Sequence, residues 1–574
     1  MWNVNEKSIM ESTRVTRAIP VVGDSAWVAE RLQRLGVSLL RRANLNAGIE
    51  LLRKAIGLDP RNANAQFNLG NALLQGGALA DALSCYDRAI DVDGTFHDAK
   101  YNRALVLVKM ERFHEALGDY DAVLHESPLH ARAHANRGNV LRELKRYEEA
   151  LDSYDSSLRL LPNNPEALCG RGAVLHDLLR YDEALQSYGR SLQLRPDYSE
   201  ALSNRGATLR RLYRHQDALA DHDHALFLKP RNIETLVNKG NVLREMGRVG
   251  EALQCFLDVQ SIDPNANEGH MGEFFCRHLL GQLEISWRKY EWRTTGPKSP
   301  LQPRRFREPL WLGEFDLAGK VILLHAEQGY GDIVQFCRYA KKVSLLGATV
   351  LLEVPQTLEA LLTSLEGVDR LVVRGADLPC FDCHCPLMSL PLVFETGLHN
   401  IPAEVPYLHC SEEKRSQWAS RLGNKRGTRI GLAWSGNPDH DNDMNRSIAL
   451  RDFAGLVSPG REFVCLQKEI RESDCATLGR LGTIRSYCDD LSDFCETAGL
   501  IANMDIVISV DTSIAHLAAA MGKPTWIMLP FNVEWRWLLD RDDSPWYPTV
   551  RLFRQTTPGD WHALVARLAR NMPV

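Results

Sequence analysis

The residue run with the most chemistry in this chain is Val510-Asp511-Thr512-Ser513-Ile514-Ala515-His516-Leu517-Ala518-Ala519-Ala520-Met521-Gly522-Lys523-Pro524. Asp511 follows an apolar stretch that reads as a buried strand, Thr512 and Ser513 open a helix, and Gly522 with Pro524 closes it. A helix start without bulky side chains attracts anions: its first N–H groups have no partner within the helix, and the peptide dipoles add in the same sense. A phosphate is the expected ligand, and His516, one turn in, can face it. Asp and Thr at a helix start also serve as plain caps, and residue type alone does not separate the two roles.

The elements that must position this loop alternate strand and helix. Val321-Ile322-Leu323-Leu324 reads as a buried parallel strand, leading through Gln328-Gly329-Tyr330-Gly331-Asp332 into a helical stretch that ends near Leu346. A strand over 349–354, a helix over 357–365 and a strand over 370–373 follow. A second set starts at Thr428, with strands over 429–434, 463–467 and 484–486, a helix over 492–503 and a strand over 505–510; a strand over 550–553 and a helix over 558–570 complete it. Two doubly wound halves in tandem imply a cleft, with ligands at the carboxyl ends of strands.

Upstream the period is different. Gly36, Gly70, Gly138, Gly172, Gly206 and Gly240 lie on a 34-residue lattice, with Ala104 on the remaining beat. Pro60, Pro128, Pro162, Pro196, Pro230 and Pro264 keep the same step, as do Ala82 to Ala252 and the aromatics Tyr86, Tyr120, Tyr154, Tyr188 and Phe256. The small residues suit a close helix–helix approach, the aromatics fill the space between units, and each Pro ends one. The segment resembles the tetratricopeptide-repeat family over residues 29–266, as seven units that stack into a superhelix with a concave face suited to a peptide or protein. Residues 267–293 still read as a helix pair, but bulky Phe274 stands on the Gly beat, as in a cap adapted to dock on something else. A connector with Pro297, Pro300, Pro303 and Pro309 follows.

The Asp511 run is similar to the signature of the heptosyltransferase-like glycosyltransferases, family 9, which have the GT-B fold and use nucleotide-diphosphate sugars. The resemblance covers roughly residues 318–570. Together with the repeats, it makes the chain similar to bacterial tetratricopeptide–glycosyltransferase proteins and, distantly, to the protein O-linked N-acetylglucosamine transferases. It implies that Asp511, Thr512 and His516 hold the donor ribose-diphosphate; Ser513 stands where the family usually has Gly, adding a hydroxyl that either contacts the phosphate or crowds it. Gln328, Gly329 and Gly331 with Asp332 are similar to the family's turn in the acceptor lobe, where the Asp acts as general base; Asp332 also precedes a helix, as a cap would. The segment from Trp434-Ser435-Gly436-Asn437-Pro438 to Asn445-Arg446-Ser447 resembles the first donor-lobe loop. This puts Arg446 on the diphosphate with Lys468 as a second candidate, unless both are solvated surface charges.

Sugar transfer leaves a diphosphate with growing negative charge, which the helix start and Arg446 can stabilise without a metal. The Asp-x-Asp spacing within Asp439-His440-Asp441-Asn442-Asp443 is the competing sign of a divalent ion, but it lacks the single-sheet context of enzymes that use it. Cys380, Cys383, His384 and Cys385 lack a second half-site and read as a loop-to-strand passage with incidental thiols. In Asp221-His222-Asp223-His224, His222 holds the aromatic beat, and i, i+2 neighbours on a helix do not face one another. Trp535, Trp537 and Trp546 around Arg536 suit either a ligand cover or packing.

The expected architecture is an α-solenoid fused to an α/β GT-B body: an extension (1–28), seven repeats (29–266), cap and connector (267–317), acceptor lobe (318–425) and donor lobe (426–574). The net charge of -5 without basic runs argues against a nucleic-acid partner. The absence of a long apolar stretch and of a signal-peptide core points to a cytoplasmic protein without a transmembrane segment. Thirteen cysteines without framework spacing fit reduced thiols. The expected activity is an inverting, metal-independent hexosyl- or heptosyltransferase reaction. A nucleotide-diphosphate sugar is co-substrate, no cofactor is needed, and the solenoid selects a protein, peptide or saccharide acceptor. The alternative is a non-catalytic scaffold with a degenerate transferase-like domain.

Overall fold

The computed structural model describes residues 25–295, 304–440 and 442–572; the first 24 residues, Pro297, Pro300, Pro303 and Asp441 lie outside the described residues. The chain divides into two compact units, up to Lys229 and from Pro230 onward.

The first unit consists of antiparallel helix pairs, from Ser25–Arg41 with Leu45–Leu58 to Ser199–Arg211 with His215–Leu228. The 34-residue lattice is a packing contact within each pair. A Cβ on Gly70 would lie 2.8 Å from the Tyr86 ring; Gly138 meets Tyr154 at 2.9 Å, Gly172 meets Tyr188 at 2.7 Å and Gly206 meets His222 at 2.6 Å. Each aromatic is thus pressed onto the glycine of its own repeat, and Tyr154 also reaches Gly170 of the following one. Such a ring contributes about 1.5–3 kcal/mol of burial only while the facing position has no side chain. His222 is fully buried on the aromatic beat. A second 34-residue series, absent from the reading above, joins neighbouring helices: Arg103 pairs with Asp87 (2.8 Å) and Asp119 (2.6 Å), Arg137 with Asp121 (2.6 Å), Arg171 with Asp155 (2.6 Å) and Arg205 with Asp221 (2.6 Å).

The second unit begins with the pair Ile233–Glu245 and Val249–Ile262, so the last repeat clusters with the α/β body. The cap pair Asn267–Leu279 and Leu283–Tyr290 follows. Phe274 is bulky because it docks: its ring lies 5.4 Å from Trp535 and 4.3 Å from Tyr290. Trp287 donates from Nε1 to the Thr396 carbonyl (3.0 Å) and sets its edge against Phe336 and Trp546.

Two all-parallel sheets make up the body. The first lobe carries β1 (Val321–His325), β2 (Thr349–Val354), β3 (Arg370–Val373) and β4 (Cys383–Pro386) in the order β3-β2-β1-β4. The second carries β5 (Thr428–Ala433), β6 (Arg461–Cys465), β7 (Ile484–Arg485), β8 (Ile506–Val510), β9 (Thr525–Leu529) and β10 (Val550–Arg554) in the order β10-β9-β8-β5-β6-β7. The alternation read from the sequence lacks β9, whose apolar run follows the helix-closing Gly522 and Pro524 too closely to stand out. Cys383 and Cys385 are buried in β4, and no group of three metal-ligating side chains occurs among the described residues. The helix Glu412–Leu422, placed by sequence in the first lobe, packs on the second. Trp418 fills the space a Cβ on Gly499 would take, its ring atom 2.5 Å away, and its Nε1 donates to Glu496 (2.9 Å).

Candidate functional site

Strand order fixes where a ligand belongs. In the second sheet the winding reverses between β5 and β8, and in the first between β1 and β4. The loops after β5 and β8 hold Arg446 and Asp511, and the loop after β1 holds Gln328 to Asp332.

After β8, Thr512 is extended (φ -143°, ψ 169°) and precedes the helix Ser513–Ala520. Its hydroxyl turns back to Ser509 (3.1 Å) and gives no side-chain cap, so no hydroxyl covers the helix-start amides. Ser513 is half-buried at the first helical position. Arg446, from the short helix Asp443–Arg446, lies over this junction and donates from Nη1 to the Asp511 carbonyl (3.2 Å). Its Nε is buried, lies 3.9 Å from Asp443 Oδ1 and makes no hydrogen bond among the described residues, which leaves a donor for an incoming anion. A Cβ on Gly436 would sit 2.7 Å from Nη2 of the same guanidinium, so the glycine is what lets Arg446 lie flat on the loop.

That loop is clamped by residues the sequence reading did not single out. Gln467 accepts from the amides of Trp434 (2.6 Å) and Ser435 (3.0 Å). Arg471 joins the Gly436 carbonyl (3.2 Å), the Ser447 hydroxyl (3.0 Å) and the Asp443 carboxylate (2.5 Å). The Asp443 carboxylate also accepts from Ser447 (2.6 Å), so one member of the acidic run is committed to holding the loop. Lys468 is exposed, and its ammonium goes to the Ser492 carbonyl (3.4 Å).

Asp511 is 9 % and His516 4 % exposed. His516 Nδ1 meets the Tyr547 hydroxyl (3.0 Å), Nε2 lies 3.7 Å from Asp511 Oδ1, and the ring stacks on Trp537. Burial by itself raises the Asp511 carboxyl, but His516, Trp537 and Arg446 outweigh it and hold the group below its ordinary value. His516 thus braces Asp511 from within, where the sequence suggested a residue facing the ligand. Gly331 closes over it: a Cβ there would stand 3.1 Å from His516 Cδ2 and 3.7 Å from Ser513 Cα, which brings the loop after β1 onto the helix after β8.

Asp332 sits in the first turn of Tyr330–Phe336 and accepts from the Gly329 amide (3.0 Å). It also forms an ion pair with Arg536, which reaches it from the loop after β9. Arg536 bonds Gln335 (2.9 Å) and Glu534 (2.7 Å) and lies over the Trp535 ring; burial lowers the guanidinium to about 10. Gln328 donates to the hydroxyl of Tyr290 in the cap (2.5 Å), so the cap helices hold this loop directly. Trp535 and Trp546 are packing residues of the cap contact, while Trp537 backs His516.

Comparison with known proteins agrees with both regions. Tetratricopeptide-repeat models match residues 34–94, 101–165, 165–198 and 233–266. The glycosyltransferase family 9 (heptosyltransferase) model matches residues 492–527, which include Asp511, Thr512, Ser513 and His516. The chain is 25% identical over 322 residues to protein FlbA of Caulobacter vibrioides, covering 50% of this chain and 52% of that protein; it therefore spans about half the length of the curated relative it matches. Among solved structures it is similar to a tetratricopeptide repeat protein from Parabacteroides merdae (21% identity, TM-score 0.39, 44% of this chain and 98% of that one). It is also similar to YrrB, described as a tetratricopeptide protein with an unusual peptide-binding site (26% identity, TM-score 0.28, 32% of this chain and 95% of that one). No helix among the described residues is long and apolar enough to cross a membrane. The chain carries tetratricopeptide repeats followed by a glycosyltransferase family 9-like α/β domain.

Proposed function

We propose that this protein is a cytoplasmic glycosyltransferase that moves a hexosyl or heptosyl group from a nucleotide-diphosphate sugar to an acceptor selected by the repeats. The observation that carries the reading is the helix start after Asp511, free of a side-chain cap, with the Nε of Arg446, which makes no hydrogen bond among the described residues, beside it at the switch point of the second sheet. The diphosphate lies against the amides opening Ser513–Ala520, with Thr512 and Ser513 offering hydroxyls and Arg446 a positive charge. Asp511 and His516 form the floor that fixes this turn. Lys468, exposed and resting on the Ser492 carbonyl, stands at the sugar-nucleotide rim.

Displacement proceeds without a metal, because the leaving diphosphate gains its charge against fixed positive groups. The acceptor hydroxyl enters from the loop of Gln328, Gly329 and Gly331, opposite the nucleotide, and the anomeric centre inverts. Asp332, the acceptor-side carboxylate paired with Arg536, takes the proton. The acceptor is a protein, peptide or saccharide bound on the concave face of the repeats.

The test is calorimetry and thermal shift with UDP, ADP, GDP and CDP and their sugars. One nucleotide should stabilise the protein by about 2.7 kcal/mol at 100 times its Kd, and Arg446→Ala should abolish most of that gain. No binding by any of them would overturn the reading. Binding without turnover, with acceptor present, would identify a scaffold that has kept only the ligand site.

A further inference from the structure

The polar side chains of the loop after β1 are turned into the protein, but Tyr330 is not. It stands between Gly329 and Gly331 and is 43 % exposed. Its ring lies 5.0 Å from that of Phe494, which opens the second-lobe helix Phe494–Ala502. Each lobe thus contributes one ring to an aromatic pair, and water still reaches the ring of the first. An exposed aromatic body at a lobe boundary calls for a reason that core packing does not give.

The place of the pair follows from its neighbours. A Cβ on Gly331 would stand 3.7 Å from Ser513 Cα, so Tyr330 is one residue away from the helix start proposed for the diphosphate. Tyr330 and Asp332 sit two apart in the first turn of Tyr330–Phe336, and such neighbours on a helix do not face one another. Asp332 goes to Arg536 in the loop after β9, whereas Tyr330 goes to Phe494, in the segment that follows β7. In the strand order β10-β9-β8-β5-β6-β7 those two loops lie on opposite sides of the β8–β5 switch point. Lys468, after β6, reaches the Ser492 carbonyl two residues before Phe494, which fixes that ring on the β6–β7 side.

A nucleotide-diphosphate sugar seated at the switch point has two ends to place. The sugar must lie where Asp332 can take the acceptor proton, on the β9 side, so the nucleoside leaves the diphosphate toward β6 and β7. We infer that the Tyr330 ring, backed by Phe494, is the stacking surface for the nucleobase of the donor; this rests on the transferase reading above. Purines and pyrimidines all present a π-face to such a ring, so Tyr330 adds affinity common to every base and leaves the choice of base to other groups. The first lobe thereby supplies an apolar contact to a site whose polar contacts come from the second.

Calorimetry of the full chain with UDP, ADP, GDP and CDP, with their hexose conjugates and with pyrophosphate alone tests this. For a nucleoside diphosphate that binds the wild type, Tyr330→Ala should weaken binding about 10-fold, and Tyr330→Phe, which keeps the ring, should stay within about twofold. Pyrophosphate has no base to stack, so its affinity should stay within about twofold in both variants, which shows the helix start intact. Unchanged nucleoside diphosphate affinity in Tyr330→Ala would overturn the inference. A loss seen only with the hexose conjugates would put the ring on the sugar and overturn it too, as would an equal loss for pyrophosphate. If no nucleotide binds the wild type, the transferase reading itself falls, and this inference with it.

Discussion

The loop after β1 and the loops after β5 and β8 occupy equivalent places, each beside the strand at which its sheet reverses, yet their polar groups are disposed in opposite ways. In the first lobe they are spent inside the protein: Gln328 on Tyr290, Asp332 on Gly329 and Arg536, and Arg293 of the cap on Glu327 (2.7 Å). In the second lobe some are left open, with a helix start no side chain caps and an Arg446 Nε that makes no hydrogen bond among the described residues. The second lobe thus keeps open the groups that the proposed donor site would use. The first is held in position by its neighbours, the cap helices among them.

The strongest way to break this contrast is to remove the wedge. Trp287→Ala deletes a fully buried indole that touches Phe336 of the first lobe and Trp535 and Trp546 of the second. We expect a loss of about 3–5 kcal/mol, read from denaturant unfolding. Nucleotide affinity of the folded fraction should change by far less. If binding disappears in parallel with the first-lobe contacts, the two lobes are one site and the contrast fails.

Acid should expose the first lobe next. Its sheet core contains His325 and His384, with ring nitrogens 3.2 Å apart, and burial, followed by His384, Arg304, Arg293 and Arg374, lowers His325 to about 3. In the unfolded chain His325 binds a proton near pH 6.5, whereas in the folded protein it stays neutral until about pH 3. The unfolded state therefore holds more protons throughout that window, and stability falls as pH drops through it. By pH 4 this one group should have removed about 3 kcal/mol. His325→Phe should flatten the dependence between pH 6.5 and 4; an unchanged slope would show that other groups control acid unfolding.

The same contrast governs what was readable in the sequence. Gly172 and Tyr188 declare their contact because the chain repeats it every 34 residues, and Asp511 to His516 stand out because a buried strand runs straight into a bare helix start. Both are local patterns. The Asp332–Arg536 pair joins residues 204 apart, and neither the Gln467 and Arg471 clamp nor Glu534 forms a spaced motif. Phe274 signalled docking by standing where glycine belonged, but only the fold shows that Trp535 is its partner. His516 stood out in the sequence, but its inward contacts depend on Tyr547 and Trp537 arriving from elsewhere in the chain.

Within the second lobe, the two candidate cations sharpen the comparison at its smaller end. Arg446 has a nitrogen to give, and Arg446→Ala should weaken nucleoside diphosphate binding by about 1.5–3 kcal/mol, in the range of a hydrogen bond to a charged group. Gly436→Ala should reproduce part of that loss with the arginine still present, because the new Cβ at 2.7 Å displaces the guanidinium.

Lys468 is the control that makes these values interpretable. It follows β6, on the side of β5 away from β8, and its exposed ammonium rests on the Ser492 carbonyl at a long 3.4 Å. Lys468→Ala should leave stability within about 0.5 kcal/mol, as for an ordinary surface position. If the diphosphate sits on the Thr512 side of the switch point, the nucleotide Kd should change less than twofold at 0.15 M salt, where screening removes most long-range attraction. A tenfold loss at that ionic strength would mean that the phosphates extend across β5 to β6, and that the open groups around Arg446 are only half of the receptor.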